Sequence, residues 1–65
     1  MTEEQIKQMA WYLAHLRKKL EEHYENYDQD MIDHYYTKIE TVGDICGLFG
    51  CYNEVCVKAI GVEAK

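Results

Sequence analysis

Three cysteines, Cys46, Cys51 and Cys56, have the widest chemical repertoire in this sequence, and their spacing limits what they can do. Four residues separate each from the next, which places them neither on a zinc knuckle nor on one turn of a helix. We therefore expect no metal site and no cofactor. Cys46 and Cys56 fall on apolar faces, where cysteine acts as a small hydrophobe, so Cys51 is the expected exposed thiol. The alternative is a small metal or redox sensor built from the three thiols.

Enzymatic chemistry finds little support elsewhere. Serine is absent, and the three histidines lie far along the chain from the cysteines, so no local motif forms a nucleophile with its base. Gly43, Gly47 and Gly50 match no phosphate-binding fingerprint. We expect no enzyme.

A cluster of carboxylates is the strongest charge feature. Six of the 12 acidic residues lie between positions 21 and 33, with no Lys or Arg among them: Glu21, Glu22, Glu25, Asp28, Asp30 and Asp33. Such a run is ordinarily a solvated turn whose acids favour the start of the next helix. The functional interpretation is a patch that meets a basic protein surface, with Tyr24 and Tyr27 as interface tyrosines and Tyr35 and Tyr36 nearby.

Trp11 marks a second candidate surface, together with Ala14 and His15. It points away from the apolar stripe of its helix, and an off-stripe tryptophan is uncommon unless something covers it. We expect the third helix or a second subunit to cover it rather than an external partner.

Composition excludes several classes. The net charge of −5 disfavours direct contact with nucleic acid, and no apolar run approaches the ~18 residues of a membrane span. The polar start of the chain and the odd number of cysteines predict a cytoplasmic protein with reduced thiols.

Hydrophobic periodicity supplies the elements that position these residues. Thr2 and Gln5 form a capping-box pattern, and a helix is predicted over 3–24. Its stripe follows alternating three- and four-residue steps: Ile6, Met9, Leu13, Leu16, Leu20, His23 and Tyr27. Asp28 or Asp30 should cap a second helix with the matching stripe Ile32, Tyr35, Ile39, Val42, Cys46 and Phe49. The two should pair as an antiparallel hairpin, with a stop at Gly50 or an earlier break near Gly43.

The last stretch predicts a short third helix over 54–60. Asn53 would cap it, Val55, Cys56, Ala59 and Ile60 would share one face, and Gly61 would end it. A β-strand is the alternative, because three valines are β-branched. The fold class is therefore all-α, a single helical domain over 1–65. Burial and chain entropy nearly cancel at this length, which favours completion as a homodimeric helical bundle.

The second half of the chain resembles small helical proteins of bacteriophages and mobile elements of Gram-positive bacteria. The resemblance lies in Tyr35-Tyr36-Thr37-Lys38-Ile39-Glu40-Thr41-Val42, Leu48-Phe49-Gly50 and Asn53-Glu54-Val55. Such proteins include anti-CRISPR proteins and other inhibitors of host defence, many of them acidic dimers that block a nucleic-acid-binding site. The resemblance transfers no functional residue to this chain.

These observations predict a non-enzymatic, acidic, homodimeric binding protein. Its partner would be a host protein with a basic surface, as for a phage-encoded inhibitor of a nucleic-acid-processing protein. A purely structural or assembly oligomer is the alternative in which the helices only build the bundle.

Overall fold

The computed structural model describes residues 1–63 and folds them into three helices. These are α1 (Glu3–Glu25), α2 (Gln29–Leu48) and α3 (Tyr52–Glu63), and no strand occurs within residues 1–63. The predicted all-α fold, a helical hairpin followed by a third helix, is confirmed. The strand alternative for the last stretch is wrong.

The start of α1 is fixed by the capping box that the sequence predicts. The Gln5 backbone N–H donates to the Thr2 hydroxyl at 3.2 Å, and the Thr2 N–H donates to Gln5 Oε1 at 2.9 Å. Two backbone donors that the helix leaves unpaired are thereby satisfied.

The turn between α1 and α2 is a tight C-terminal cap. Asp28 N–H donates to the His23 carbonyl at 3.2 Å and Tyr27 N–H donates to the Tyr24 carbonyl at 3.3 Å, the bond pair of a Schellman motif. Tyr27 occupies the left-handed position at φ 56°, with its side chain 91 % exposed. Its predicted place on the apolar stripe is therefore wrong, because the helix has already ended at Glu25.

Asp28 belongs to both helices across this turn. Its backbone closes α1, and its carboxylate accepts a 3.4 Å hydrogen bond from Met31 N–H at the start of α2. Of the two predicted caps, Asp28 is confirmed. Asp30 lies in the first turn of α2.

Helix α2 runs without a break through Gly43 and Gly47 and stops as the sequence predicts. Gly50 takes φ 71°, and the Gly50 and Cys51 N–H groups donate to the carbonyls of Gly47 and Cys46. This is a second Schellman motif, here with the glycine that the left-handed position favours. Phe49, predicted on the α2 stripe, is the C-cap and is 61 % exposed.

Helix α3 is longer than predicted at both ends. It begins at Tyr52, so Asn53 lies within the helix and does not cap it, and it continues through Gly61 to Glu63. Val55 and Ala59 are buried as expected. Ile60, placed by the sequence on the same face, is 59 % exposed, because it projects from the outer side of the helix.

The hairpin of α1 and α2 has the antiparallel register that the two stripes predict. Leu13, Leu16, Val42 and Cys46 belong to one buried cluster near the middle of the pair. At one end the rings of His23 and Tyr35 stack with centroids 5.4 Å apart. At the other end Met9 and Phe49 line the same shallow depression.

Helix α3 packs on a second flank of α1, which the stripe analysis did not identify. Ala10 and Ala14 are buried in one cluster with Val55 and Ala59. Small side chains on both helices permit close approach. Helices α2 and α3 touch each other little, and the Tyr52 ring lies against Gly43.

The three helices consequently form a flat slab with α1 in the middle. The molecule measures 36 × 26 × 14 Å, little thicker than one helix with its side chains. At ~1.5 Å per residue, the 23 residues of α1 span the whole long axis.

Replacing Leu16 tests this packing. Leu16 is 2 % exposed at the centre of the core, so Leu16→Ala should lower the free energy of unfolding by ~2–5 kcal/mol through loss of burial and cavity formation. Urea denaturation followed by circular dichroism measures it. Lys18→Ala, on the exposed side of the same helix, should change it by less than ~0.5 kcal/mol. Equal effects of the two variants would contradict the packing.

The two helix caps predict substitutions of opposite sign. Tyr27→Gly should raise the free energy of unfolding by about 1 kcal/mol. Glycine removes the ~1–2 kcal/mol cost of a left-handed L-residue, but it also makes the unfolded chain more flexible, which cancels part of this gain. Gly50→Ala should lower the free energy of unfolding by about 1 kcal/mol for the same reason, since no neighbouring atom obstructs a Cβ there. Thermal melts of both variants decide, and a destabilised Tyr27→Gly would refute the strain at this turn.

Candidate functional site

The carboxylate cluster lies at the end of the slab where α1 meets α2, and we call it the acidic end. Every member is solvent-exposed: Glu21, Glu22, Glu25, Asp28, Asp30 and Asp33, with Tyr24 and Tyr27. Tyr24 is 54 % exposed. All eight residues that the sequence predicts for partner binding are therefore open to water near the turn between α1 and α2, and Glu21 also lines a depression shared with Trp11 and Val62.

The three aspartates have structural reasons to be there. Asp28 caps α2, and Asp30 lies in its first turn, where the helix dipole favours negative charge. Asp33 accepts a 2.9 Å hydrogen bond from Gln29 Nε2 one turn earlier. These residues would be expected in any helix start.

The glutamates have no such reason. Glu22 and Glu25 lie in the last turn of α1, where the partial negative charge of the helix terminus disfavours a carboxylate by ~0.3–1 kcal/mol. His23 is the basic residue of that turn. Helix stability therefore explains the aspartates of the acidic end and not its glutamates.

Positive charge offsets little of this field. Lys19 Nζ lies 3.5 Å from Glu22 Oε2, and His23 Nδ1 lies 3.9 Å from Asp28 Oδ2. Exposed pairs of this kind contribute ~0–1 kcal/mol and leave the carboxylates open to another cation. The acidic end keeps a net negative charge.

The second candidate surface is only partly accessible. Trp11 is 62 % exposed, and its ring stacks on His15 with centroids 5.8 Å apart and planes 2° from parallel. Ala14 is 5 % exposed and belongs to the packed core, and it forms the floor of the depression that Trp11 and His15 also line. Of the two covers expected for Trp11, α3 does not supply one, because it leaves the indole 62 % exposed and only lines the depression beside it. Cover by a second subunit stays a prediction.

The thiols lie together at the other end of α2. Cys51, predicted to be the exposed thiol, is buried, because the Schellman turn directs its Sγ to 3.6 Å from the Cys46 carbonyl oxygen and 3.5 Å from Met1 Sδ. Burial raises the pKa of the Cys46 thiol, and the neighbouring thiols of Cys51 and Cys56 add to the rise. Within residues 1–63 no three His, Cys, Asp or Glu side chains are arranged to hold a metal ion.

Sequence reasoning missed a third surface, which we call the apolar end. It lies where the start of α1 meets the end of α2, opposite the acidic end, and has a shallow depression lined by Met1, Met9, Tyr12 and Phe49. Ile45 and Leu48 are exposed near the end of α2. Leu48 is 87 % exposed. The available signal was Ile45 beside the α2 stripe and Leu48-Phe49 directly before the Gly50 stop, where a helix end cannot bury both side chains.

Comparison with known protein families, with curated proteins and with solved structures finds no match. No helix within residues 1–63 is both long enough and apolar enough to cross a bilayer.

The thiol geometry predicts an order of reactivity. Cys56 is the one partly exposed thiol of the three, so Ellman's reagent at neutral pH should label it first. Cys46 and Cys51 should react only as the protein opens, and Cys46 least readily, since its raised pKa lowers its thiolate fraction. Cys56→Ala should remove the fast phase. A fast phase that persists in Cys56→Ala would contradict the burial of Cys51.

Proposed function

We propose that this chain is a non-enzymatic, homodimeric binding protein whose acidic end binds the basic surface of another protein. The partner class that fits best is a nucleic-acid-processing protein, whose phosphate-binding groove offers dense positive charge to the carboxylates. A phage-encoded inhibitor that acts in the cytoplasm on a host nuclease would need such an acidic surface to fill the basic groove of the nuclease.

The placement of Glu22 and Glu25 is the observation that supports this proposal. Both carboxylates lie where the helix dipole disfavours negative charge. Within residues 1–63, the only side-chain hydrogen bond that either of them accepts is the 3.5 Å bond from Lys19 to Glu22. Carboxylates that cost stability in the free protein are accounted for if they meet cations in a complex.

The tyrosines support the same surface. Tyr24 and Tyr27 are exposed beside the carboxylates, and Tyr27 keeps a left-handed backbone that glycine would hold more easily. A large ring with a polar tip is enriched in protein interfaces, where it adds contact area at little entropic cost.

The dimer is supported by the surface that one chain leaves in water. The accessible surface is 4806 Å², whereas a monomeric protein of 7.7 kDa exposes about 4,300 Å². The flat slab thus exposes on the order of 500 Å² more than a typical monomer of its mass. A second subunit would cover such an excess.

Charge reversal at the acidic end tests the binding function. In Glu22→Lys, Glu25→Lys and Asp33→Lys combined, the caps of both helices remain, and the two lysines at the end of α1 complement its dipole. Helicity and melting temperature should therefore be unchanged or higher. A tagged wild-type protein should retain a basic partner from bacterial lysate, identified by mass spectrometry, and the triple variant should not. Retention should also fall as salt rises, because exposed charge pairs are screened beyond ~10 Å at 0.1 M.

Trp11→Ala supplies the matched control. It alters an exposed aromatic residue away from the acidic end and should leave partner retention unchanged. If the triple variant retains the partner while Trp11→Ala loses it, the acidic end is a solvated turn and the stacked Trp11–His15 surface binds the partner.

A further inference from the structure

The Schellman motif at the end of α2 brings two of the three cysteines together. In this motif the third-last residue of the helix and the third residue after it share a backbone hydrogen bond, and their side chains commonly pack on each other. Here these positions hold Cys46 and Cys51, and the Cys51 N–H donates to the Cys46 carbonyl at 2.9 Å. Two thiols therefore occupy the positions whose apolar contact ordinarily closes such a helix end.

Both thiols are buried in the same cluster of the core. Cys46 is 1 % exposed and Cys51 8 %, and the Cys51 Sγ lies 3.6 Å from the Cys46 carbonyl oxygen. Burial raises the pKa of the Cys46 thiol, and Cys51 adds to the rise through its charge and a hydrogen bond between the two side chains, ahead of Cys56. This order indicates that Cys51, rather than Cys56, is the thiol neighbour of Cys46.

We infer that Cys46 and Cys51 are a redox-active dithiol, which a low-molecular-weight disulfide such as oxidised glutathione converts into an intramolecular disulfide across the turn between α2 and α3. A disulfide forms only where the backbone already holds two cysteines close together with converging side chains, and the hydrogen-bonded turn meets this condition. The inference adds a modification site to the protein and does not depend on the proposed function.

Cys51 is the thiol that an external disulfide would reach first. Its Sγ lies 3.5 Å from Met1 Sδ, and Met1 is exposed and precedes the first residue of α1. Movement of the Met1 side chain therefore uncovers Cys51 without unwinding α1, and chain ends open locally at little free-energy cost. Cys46 lies deeper and would act as the second thiol.

The reaction consists of two thiol–disulfide exchanges. The Cys51 thiolate attacks one sulfur of oxidised glutathione, whose S–S bond breaks as one glutathione thiolate leaves. The Cys46 thiolate then attacks the Cys51 Sγ of this mixed disulfide and releases the second glutathione. Two protein thiols are thereby oxidised to one disulfide, and one glutathione disulfide is reduced to two thiols, which carry the two protons lost by the cysteines. Excess reduced glutathione reverses both exchanges.

The equal spacing of the cysteines provides an internal reference for a test. Four residues separate Cys46 from Cys51 and Cys51 from Cys56, so an unfolded chain closes either ring at nearly the same entropic cost. In the folded protein, Cys51 accepts the first hydrogen bond of α3 and Cys56 lies five residues further along that helix. Their axial separation of ~7.5 Å exceeds the ~7 Å between Cα atoms that a disulfide can span. Any preference for the first pair therefore comes from the fold.

Peptide mapping after oxidation measures this preference. The protein is equilibrated with oxidised glutathione, either folded or in concentrated guanidinium chloride, and its remaining thiols are alkylated under acid quench. Glu-C protease cleaves after Glu54 and leaves Cys46 and Cys51 on one peptide and Cys56 on the next. In the folded protein the Cys46–Cys51 disulfide should exceed the Cys51–Cys56 disulfide at least ~10-fold. In denaturant the two should form in about equal amounts.

Cys56→Ala is the matched control. It removes the partly exposed thiol and should leave the yield of the Cys46–Cys51 disulfide unchanged. Its oxidised form should melt at least ~5 °C above its reduced form, because the cross-link constrains the unfolded chain. Cys46→Ala should stop at mixed disulfides with glutathione.

Three results would overturn the inference. The first is a disulfide that joins Cys56 to either other cysteine in the folded protein. The second is a folded protein in which Cys56 carries glutathione while Cys46 and Cys51 remain free thiols. The third is a lower melting temperature on oxidation of Cys56→Ala, which would show that the disulfide distorts the turn. Partner retention by the acidic end involves none of these thiols, so it can succeed or fail separately.

Discussion

The structure depends on one helix packing on two flanks at once. Helix α1 contacts both α2 and α3, which barely touch each other, so nearly every buried contact passes through it. Its leucine stripe serves α2, and its small flank, Ala10 and Ala14, serves α3. A single central helix can organise residues 1–63 in this way only as a flat layer. The layer buries little of its own outer surface, so exposed apolar groups follow directly from the arrangement.

The two connections between the helices hold this layer together because both are short, hydrogen-bonded turns. Both turns are Schellman motifs in which the residue that closes one helix directly precedes the next helix or caps it. The second uses Gly50 at the left-handed position, whereas the first uses Tyr27. A left-handed tyrosine is the less stable choice for the turn itself. Its large ring, 91 % exposed beside the carboxylates, suits a contact surface better than it suits folding.

Local sequence rules predicted the fold well because short stretches of sequence determine where its helices begin and end. The Thr2–Gln5 capping box, the Asp28 cap and the Gly50 stop each depend on a few neighbouring residues, and the matching stripes set the hairpin register. The predictions that failed for α1 depend on where α3 packs against it. Ala10 and Ala14 gave no apolar signal, so the flank that receives α3 was missed, and with it the exposure of Trp11. The burial of Cys51 likewise requires the Schellman geometry and Met1, 50 residues away in sequence.

The sequence identified the residues of the acidic end, but their interpretation required the positions at which the two helices end and begin. Six carboxylates in 13 residues ordinarily form a solvated turn, and the sequence alone leaves a binding surface as the other interpretation. Because α1 ends at Glu25 and α2 begins at Gln29, the negative end of the α1 dipole and the positive end of the α2 dipole meet at this turn. They favour the aspartates and disfavour Glu22 and Glu25. Selection for stability alone would place lysine or arginine at the end of α1, so the glutamates there mark the part of the cluster that folding does not explain.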